Sequence, residues 1–167
     1  DLAKKMKMIA HHGERIKYYH DVIGCNSRLD TIQAAILKIK LKHLRDYEKN
    51  RNQVADFYDK AFANHSNITT PYRASNSTHV FHQYTLKLNG VDRDALKEFL
   101  ASKDIPSMIY YPVPLHHQLA YKDNLKPGDS FEISESLAKS VISLPIHTEM
   151  DAEQLNYITE TVKSFFL

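Results

Sequence analysis

The sequence holds one cysteine in 167 residues, Cys25, which excludes an internal disulfide and a Cys-x-x-Cys metal site. That usage fits a reducing compartment and a cytoplasmic location. No apolar run approaches the roughly 20 residues that a membrane-spanning helix needs, so no membrane partner is expected. The net charge is only +2 and no Lys/Arg tract occurs, which argues against nucleic acid. The four glycines are scattered, so no Gly-rich phosphate loop can form, and there is no G-x-S-x-G elbow. The N-terminal "DLAKKMKMIAHHGERIKYY" lacks the apolar core and cleavage site of a signal peptide. It also lacks a starting Met, and Asp1 is expected to be an internal point of a longer chain.

What is present reads as a soluble α/β protein, 43% apolar and 25% charged. Residues 2–10 suggest a short basic helix ending near Gly13, and residues 14–23 a loop or irregular crossover. Between Gly24 and Pro71 there is neither Gly nor Pro. Leu29, Ile32, Ile36 and Ile39, with Leu37, Leu41 and Leu44 beside them, recur at helical spacing, and Val54, Phe57, Tyr58 and Phe62 resume it. One helix over about 28–63, or two nearly collinear ones, would run roughly 50 Å and bridge two lobes or build an interface. Ser27 and Asp30 resemble a capping box at its start.

Past a turn-rich loop the texture changes. "HVFHQYTLKL" (79–88) predicts a strand, closed by Asn89-Gly90. "DRDALKEFLASKDI" predicts a helix capped by Asp92, with Leu96, Phe99 and Leu100 on its inner stripe. "PSMIYYP" predicts a short strand, followed by a Pro-punctuated loop. "SFEISESLAKSV" predicts a helix, "ISLPI" a strand, and "DAEQLNYITETVKSFFL" a last helix with a capping box at Asp151 and Gln154. The order β-α-β-α-β-α implies a small sheet with helices, on one face.

Ten histidines raise the question of a metal. His11/His12 and His116/His117 are adjacent, and neighbouring side chains on regular structure point apart. His79 and His82 fall on opposite faces of the expected strand. No metal site is therefore expected. Asn26 and Arg28 are the more pointed signal. Asn26 can cap the long helix. Arg28 in a first turn opposes the helix dipole, which makes sense if an external anion sits there. The plainer reading is a capping Asn beside a solvated Arg.

"HHGERIKYYHDVIGCNSRLDTIQAAILKIKLKHL" resembles the DegT/DnrJ/EryC/StrS family of sugar aminotransferases, which are pyridoxal-phosphate enzymes. The shared run stands here as His12-Gly13, Gly24, Asn26, Arg28, Leu29, Asp30 and Ile32-Gln33-Ala34-Ala35. "HVFHQYTL", "YYPVPLHHQLAY" and "SLPIHTEMDAEQLNYI" follow in family order, so the resemblance spans essentially the whole chain.

The resemblance implies the C-terminal portion of an aspartate-aminotransferase-like fold (fold type I), with an α+β small domain. Residues 1–27 would be the tail of the large cofactor domain, 28–70 the linking helix region and 71–167 the small C-terminal domain. The family's Schiff-base lysine lies upstream of the matching segment, so no lysine here is assigned that role and this chain alone is expected to be inactive. The parent would transfer an amino group, usually from glutamate, to a nucleotide-linked keto-sugar in amino-sugar or cell-surface polysaccharide synthesis. A subfamily dehydrates instead, and a non-catalytic binding or dimerisation module is the competing reading. Family members are homodimers. By the match, Arg28, with Asn26 beside it, reaches the cofactor phosphate of the neighbouring subunit. Tyr110 and His116, around the "YPVPLH" loop, are weaker candidates for sugar-nucleotide contact, set against a rigid Pro-locked turn with a buried Tyr. His82 and Tyr84 are weighed as core.

Overall fold

Gly13 and Gly24 organise the first forty-four residues. In a computed structural model, which describes residues 1–126 and 128–167, helix α1 (Leu2–Ala10) ends three residues before Gly13, which turns the chain at φ +78°. The chain returns so that Cys25 N donates to Ile9 O (2.8 Å), His12 N to Cys25 O (2.9 Å) and Ser27 N to Ala10 O (2.9 Å). A side chain cannot fit at this crossing. A Cβ on Gly24 would lie 2.1 Å from Gly13 N and 2.5 Å from Ile9 O.

Between the two glycines the chain forms a small antiparallel hairpin, β1 (Glu14–Ile16) with β2 (Tyr19–His20), instead of the expected loop. Its two-residue turn, Lys17-Tyr18, puts Tyr18 at φ +71° without the Asn-Gly or Asp-Gly pair that normally marks such turns. Helix α2 (Thr31–Lys40) follows, then a 3₁₀ turn over 41–43 and helix α3 (Leu44–Phe62). The expected long helix is thus two α-helical stretches joined by tighter winding. Its start is also later than expected. Asp30 occupies the N-cap position with no side-chain cap bond, so neither Asn26 nor the Ser27/Asp30 pair caps it. The chain divides into two compact units, Asp1–Leu44 and Arg45–Leu167.

In the second unit the sheet has three antiparallel strands in the order β3 (Ile68–Thr69), β4 (Tyr84–Leu88), β5 (Val141–Leu144). Leu86 faces Ile142 across β4 and β5. The strand expected from residue 79 starts only at Tyr84, for a visible reason. Arg51 Nη1 donates to Phe81 O (2.9 Å) and His82 O (3.1 Å), and Asn52 Nδ2 to His79 O (2.9 Å). These carbonyls are thereby taken from any ladder, and Phe81 sits at φ +46°. His79 and His82 therefore do not share a strand. The short strand expected at 106–112 is reduced to one bridge, Met108 with Ser143. Pro106 and Pro112 lack the N–H donors a longer ladder requires.

Helices α4 (Arg93–Ala101), α5 (Glu132–Ser140) and α6 (Ala152–Ser164) form where their patterns predict. Leu96 and Leu100 of α4, Leu155, Ile158 and Val162 of α6, and Val54, Tyr58 and Phe62 of α3 join Tyr84, Leu86 and Ile142 in one buried cluster. Asp151 and Gln154 make both bonds of the capping box on α6. Asp92 caps α4, accepting from Asp94 N (2.9 Å) and Ala95 N (3.1 Å). Asp92→Ala should cost about 1 kcal/mol, read as a lower urea midpoint with an unchanged slope. Arg93, buried beside it, donates to Ala138 O (3.0 Å) and Val141 O (3.3 Å) and so satisfies carbonyls at the end of α5.

Candidate functional site

Asn26 and Arg28 lie on the segment that runs from the glycine crossing to α2. Asn26 forms an antiparallel bridge with His11, which anchors its backbone. Its Oδ1 accepts from Arg28 Nε at 3.0 Å. Both residues are exposed, and no other described residue bonds the guanidinium. Arg28 precedes the first turn of α2 rather than sitting in it, so the dipole argument for its placement does not apply. What remains is a fork whose Nε edge is fixed by an amide while its outer amino groups face solvent, a donor set suited to a phosphate or carboxylate.

In the second unit Tyr110 and His116 line one cavity of about 780 Å³, together with Tyr111, Pro112, Pro114 and Phe131. Its walls are mostly apolar, with a few polar groups, the composition of an organic-ligand site. His116 stacks on Phe131 (centroids 4.6 Å apart, planes 25° apart), and its Nε2 lies 3.0 Å from Glu135 Oε1. That hydrogen bond is the main reason the Glu135 carboxyl is held below its ordinary range, with His117 and Lys139 adding. Glu135 was not visible as a partner in the sequence, because it reaches His116 from α5 across nineteen positions.

The adjacent histidines also depart from expectation. His116 and His117 sit on a 3₁₀ turn (Leu115–His117), where their rings meet edge-on at 4.3 Å instead of pointing apart. Tyr84 is fully buried and His82 exposed, so of that pair only Tyr84 belongs to the core. Among the described residues no helix is long and apolar enough to cross a membrane.

Known proteins resemble this chain along nearly its whole length. The model of the DegT/DnrJ/EryC1/StrS aminotransferase family matches residues 1–163. A "pleiotropic regulatory protein" of Geobacillus stearothermophilus is 39% identical over 99% of this chain and 45% of its own length. A UDP-N-acetyl-3-dehydro-alpha-D-glucosamine 3-aminotransferase of Acidithiobacillus ferrooxidans is 36% identical over 98% of this chain and 43% of its own. The crystal structure of DesV from S. venezuelae, in complex with a ketimine intermediate, superposes with a TM-score of 0.91 at 34% identity, covering 98% of this chain and 44% of that one. The chain thus spans less than half the length of these relatives.

Proposed function

Because the chain belongs to the DegT/DnrJ/EryC1/StrS aminotransferase family, we propose that it is the C-terminal part of a pyridoxal-phosphate enzyme that transfers an amino group to a nucleotide-linked keto-sugar. Glutamate is the amino donor in this reading, and the product feeds amino-sugar or surface-polysaccharide synthesis in the cytoplasm. Residues 1–27 would complete the large cofactor domain, 28–70 would link the lobes, and 71–167 would be the small domain.

The observation that carries the reading is the Asn26–Arg28 pair on the family-matching run. Its outward guanidinium suits a dianionic phosphate, and the Asn26 amide restricts the side chain before any ligand arrives. We assign Arg28 to the cofactor phosphate of a partner subunit in a homodimer and Asn26 to its orientation. Pyridoxal phosphate, when bound, supplies the electron sink for transamination. The lysine that holds it covalently is assigned to the rest of the parent, so this chain alone would not catalyse. Tyr110 and His116, on the wall of one cavity, are assigned to the sugar nucleotide. Helix α2 supports a covered position in the whole protein. Ile32, Ile36, Leu37 and Ile39 are all exposed on this chain, and a helix apolar on more than one side needs further protein against it.

The test is to assay the full-length protein with glutamate and nucleotide-linked keto-sugars. Formation of 2-oxoglutarate and an amino-sugar is expected. Full-length protein that gives neither and takes up no pyridoxal phosphate would overturn the reading. Arg28→Ala should weaken cofactor affinity by about 1.5–3 kcal/mol, the range for a charge-assisted hydrogen bond. The apo melting temperature should hardly move, since the side chain is exposed. Arg28→Lys should recover only part of the loss, because an ammonium cannot make the two-pronged contact. Unchanged cofactor affinity in Arg28→Ala would remove this residue from the site.

A further inference from the structure

Beyond that reading, we propose that His116, His117 and Glu135 form a binding site for one divalent transition-metal ion of the zinc type. One potential ligand atom from each of the three lies within 4.8 Å of the others, and among the described residues no other such group of His, Cys, Asp and Glu occurs. His116 Nε2 is 3.0 Å from Glu135 Oε1, and His117 Nε2 is 3.5 Å from the same oxygen. Zinc bonds of about 2.0–2.1 Å at tetrahedral angles place neighbouring donors roughly 3.3 Å apart. The two measured separations bracket that spacing, and the two imidazole donors, within 4.8 Å of each other, would close around an ion by side-chain rotation.

The donor types select the ion. Two imidazoles with one carboxylate suit zinc and its neighbours, whereas magnesium and calcium require oxygen donors. The set also has the make-up of three-ligand sites that leave a coordination position for water. Exposure permits that position, since the side chain of His116 is 12% exposed, that of Glu135 39% and that of His117 54%. The ligands are unequally held. His116 is stacked on the Phe131 ring, Glu135 projects from a regular turn of α5, and His117 is the most exposed of the three. Lys139, on the same helix as Glu135, is the cation whose charge the ion must tolerate.

The test needs neither cofactor nor substrate, so it is separable from the aminotransferase assignment. The chelator-stripped protein is titrated with zinc chloride in a calorimeter while the imidazole nitrogen resonances are followed by NMR. Saturable binding of one ion per chain is expected, with the largest shifts at His116 and His117. His117→Ala and Glu135→Gln should each weaken binding at least about tenfold, as loss of a supporting or ligating group does. His117→Ala leaves the His116–Glu135 hydrogen bond intact, so its fold should persist. His147→Ala, at a histidine paired with Glu149 on the surface, should bind zinc as the parent does. Absence of saturable binding, equal affinity in His117→Ala, or ready displacement of zinc by excess magnesium would each overturn the site.

Discussion

Gly24→Ala should destabilise the Asp1–Leu44 unit by about 3 kcal/mol or more, the upper end of what overpacking costs. The added methyl would meet Gly13 N at 2.1 Å, Ile9 O at 2.5 Å and the carbonyl carbon of His12 at 2.6 Å. All three are backbone atoms, so no side chain can swing aside to make room. Relief requires the chain after Gly24 to move away from the end of α1. That movement breaks the bonds from Cys25 N to Ile9 O, from His12 N to Cys25 O and from Ser27 N to Ala10 O. It also releases the His11–Asn26 bridge, so Arg28 loses the fixed base from which it projects. Faster amide exchange at His12, Cys25 and Ser27 is the specific signature, alongside a lower denaturation midpoint. Gly90→Ala is the contrast. Beyond its own chain neighbours no described atom lies within 4 Å of the Cβ it would add, and its φ of +68° is what opposes the change, at a cost of about 1 kcal/mol. Equal stability of Gly24→Ala and the parent would contradict the close crossing.

Alkaline pH should unfold the Arg45–Leu167 unit by way of two tyrosines. The Tyr58 hydroxyl donates to Pro145 O (2.8 Å) and that of Tyr84 to Asp59 Oδ1 (2.5 Å), and both side chains are wholly buried. Burial raises both phenols well above their ordinary range, and at Tyr84 the Asp59 carboxylate adds to it. In the unfolded chain a phenol loses its proton near pH 10, about its ordinary value. Above that point the unfolded state binds fewer protons than the folded one, so stability falls as pH rises. Below it the contribution of both groups is complete. The expected slope is about 1.4 kcal/mol per pH unit for each tyrosine, or about 2.7 for the pair, continuing until the folded phenols themselves ionise. Denaturant midpoints across the alkaline range should show this, and Tyr58→Phe or Tyr84→Phe should each remove about half of it. A double Phe variant that keeps the parent's slope would show that these groups are not the cause.

Several elements were written in local residue patterns that no distant contact overrules. Asp92 ahead of α4, Asp151 with Gln154 ahead of α6, and the spacing of Leu155, Ile158 and Val162 lead to the observed helices because cap and stripe act within a few residues. The family run from His12 to Ala35 was equally legible, and the match over residues 1–163 agrees with it. The hairpin over 14–20 was not, since its turn uses Lys17-Tyr18 in place of a recognisable pair.

By itself, then, the sequence determined the mixed α/β class, most of the helices and the family, all of which rest on short-range order along the chain. Tertiary structure decided where strands could not extend and which polar groups would meet. Arg51 and Asn52 claim the carbonyls of His79, Phe81 and His82, and so delay β4, from 27 to 31 positions away. The 3₁₀ turn at 115–117 and the distant Glu135 bring together two histidines whose adjacency in sequence argued for separation. Such encounters depend on how the chain closes on itself, and side-chain periodicity carries no information about closure.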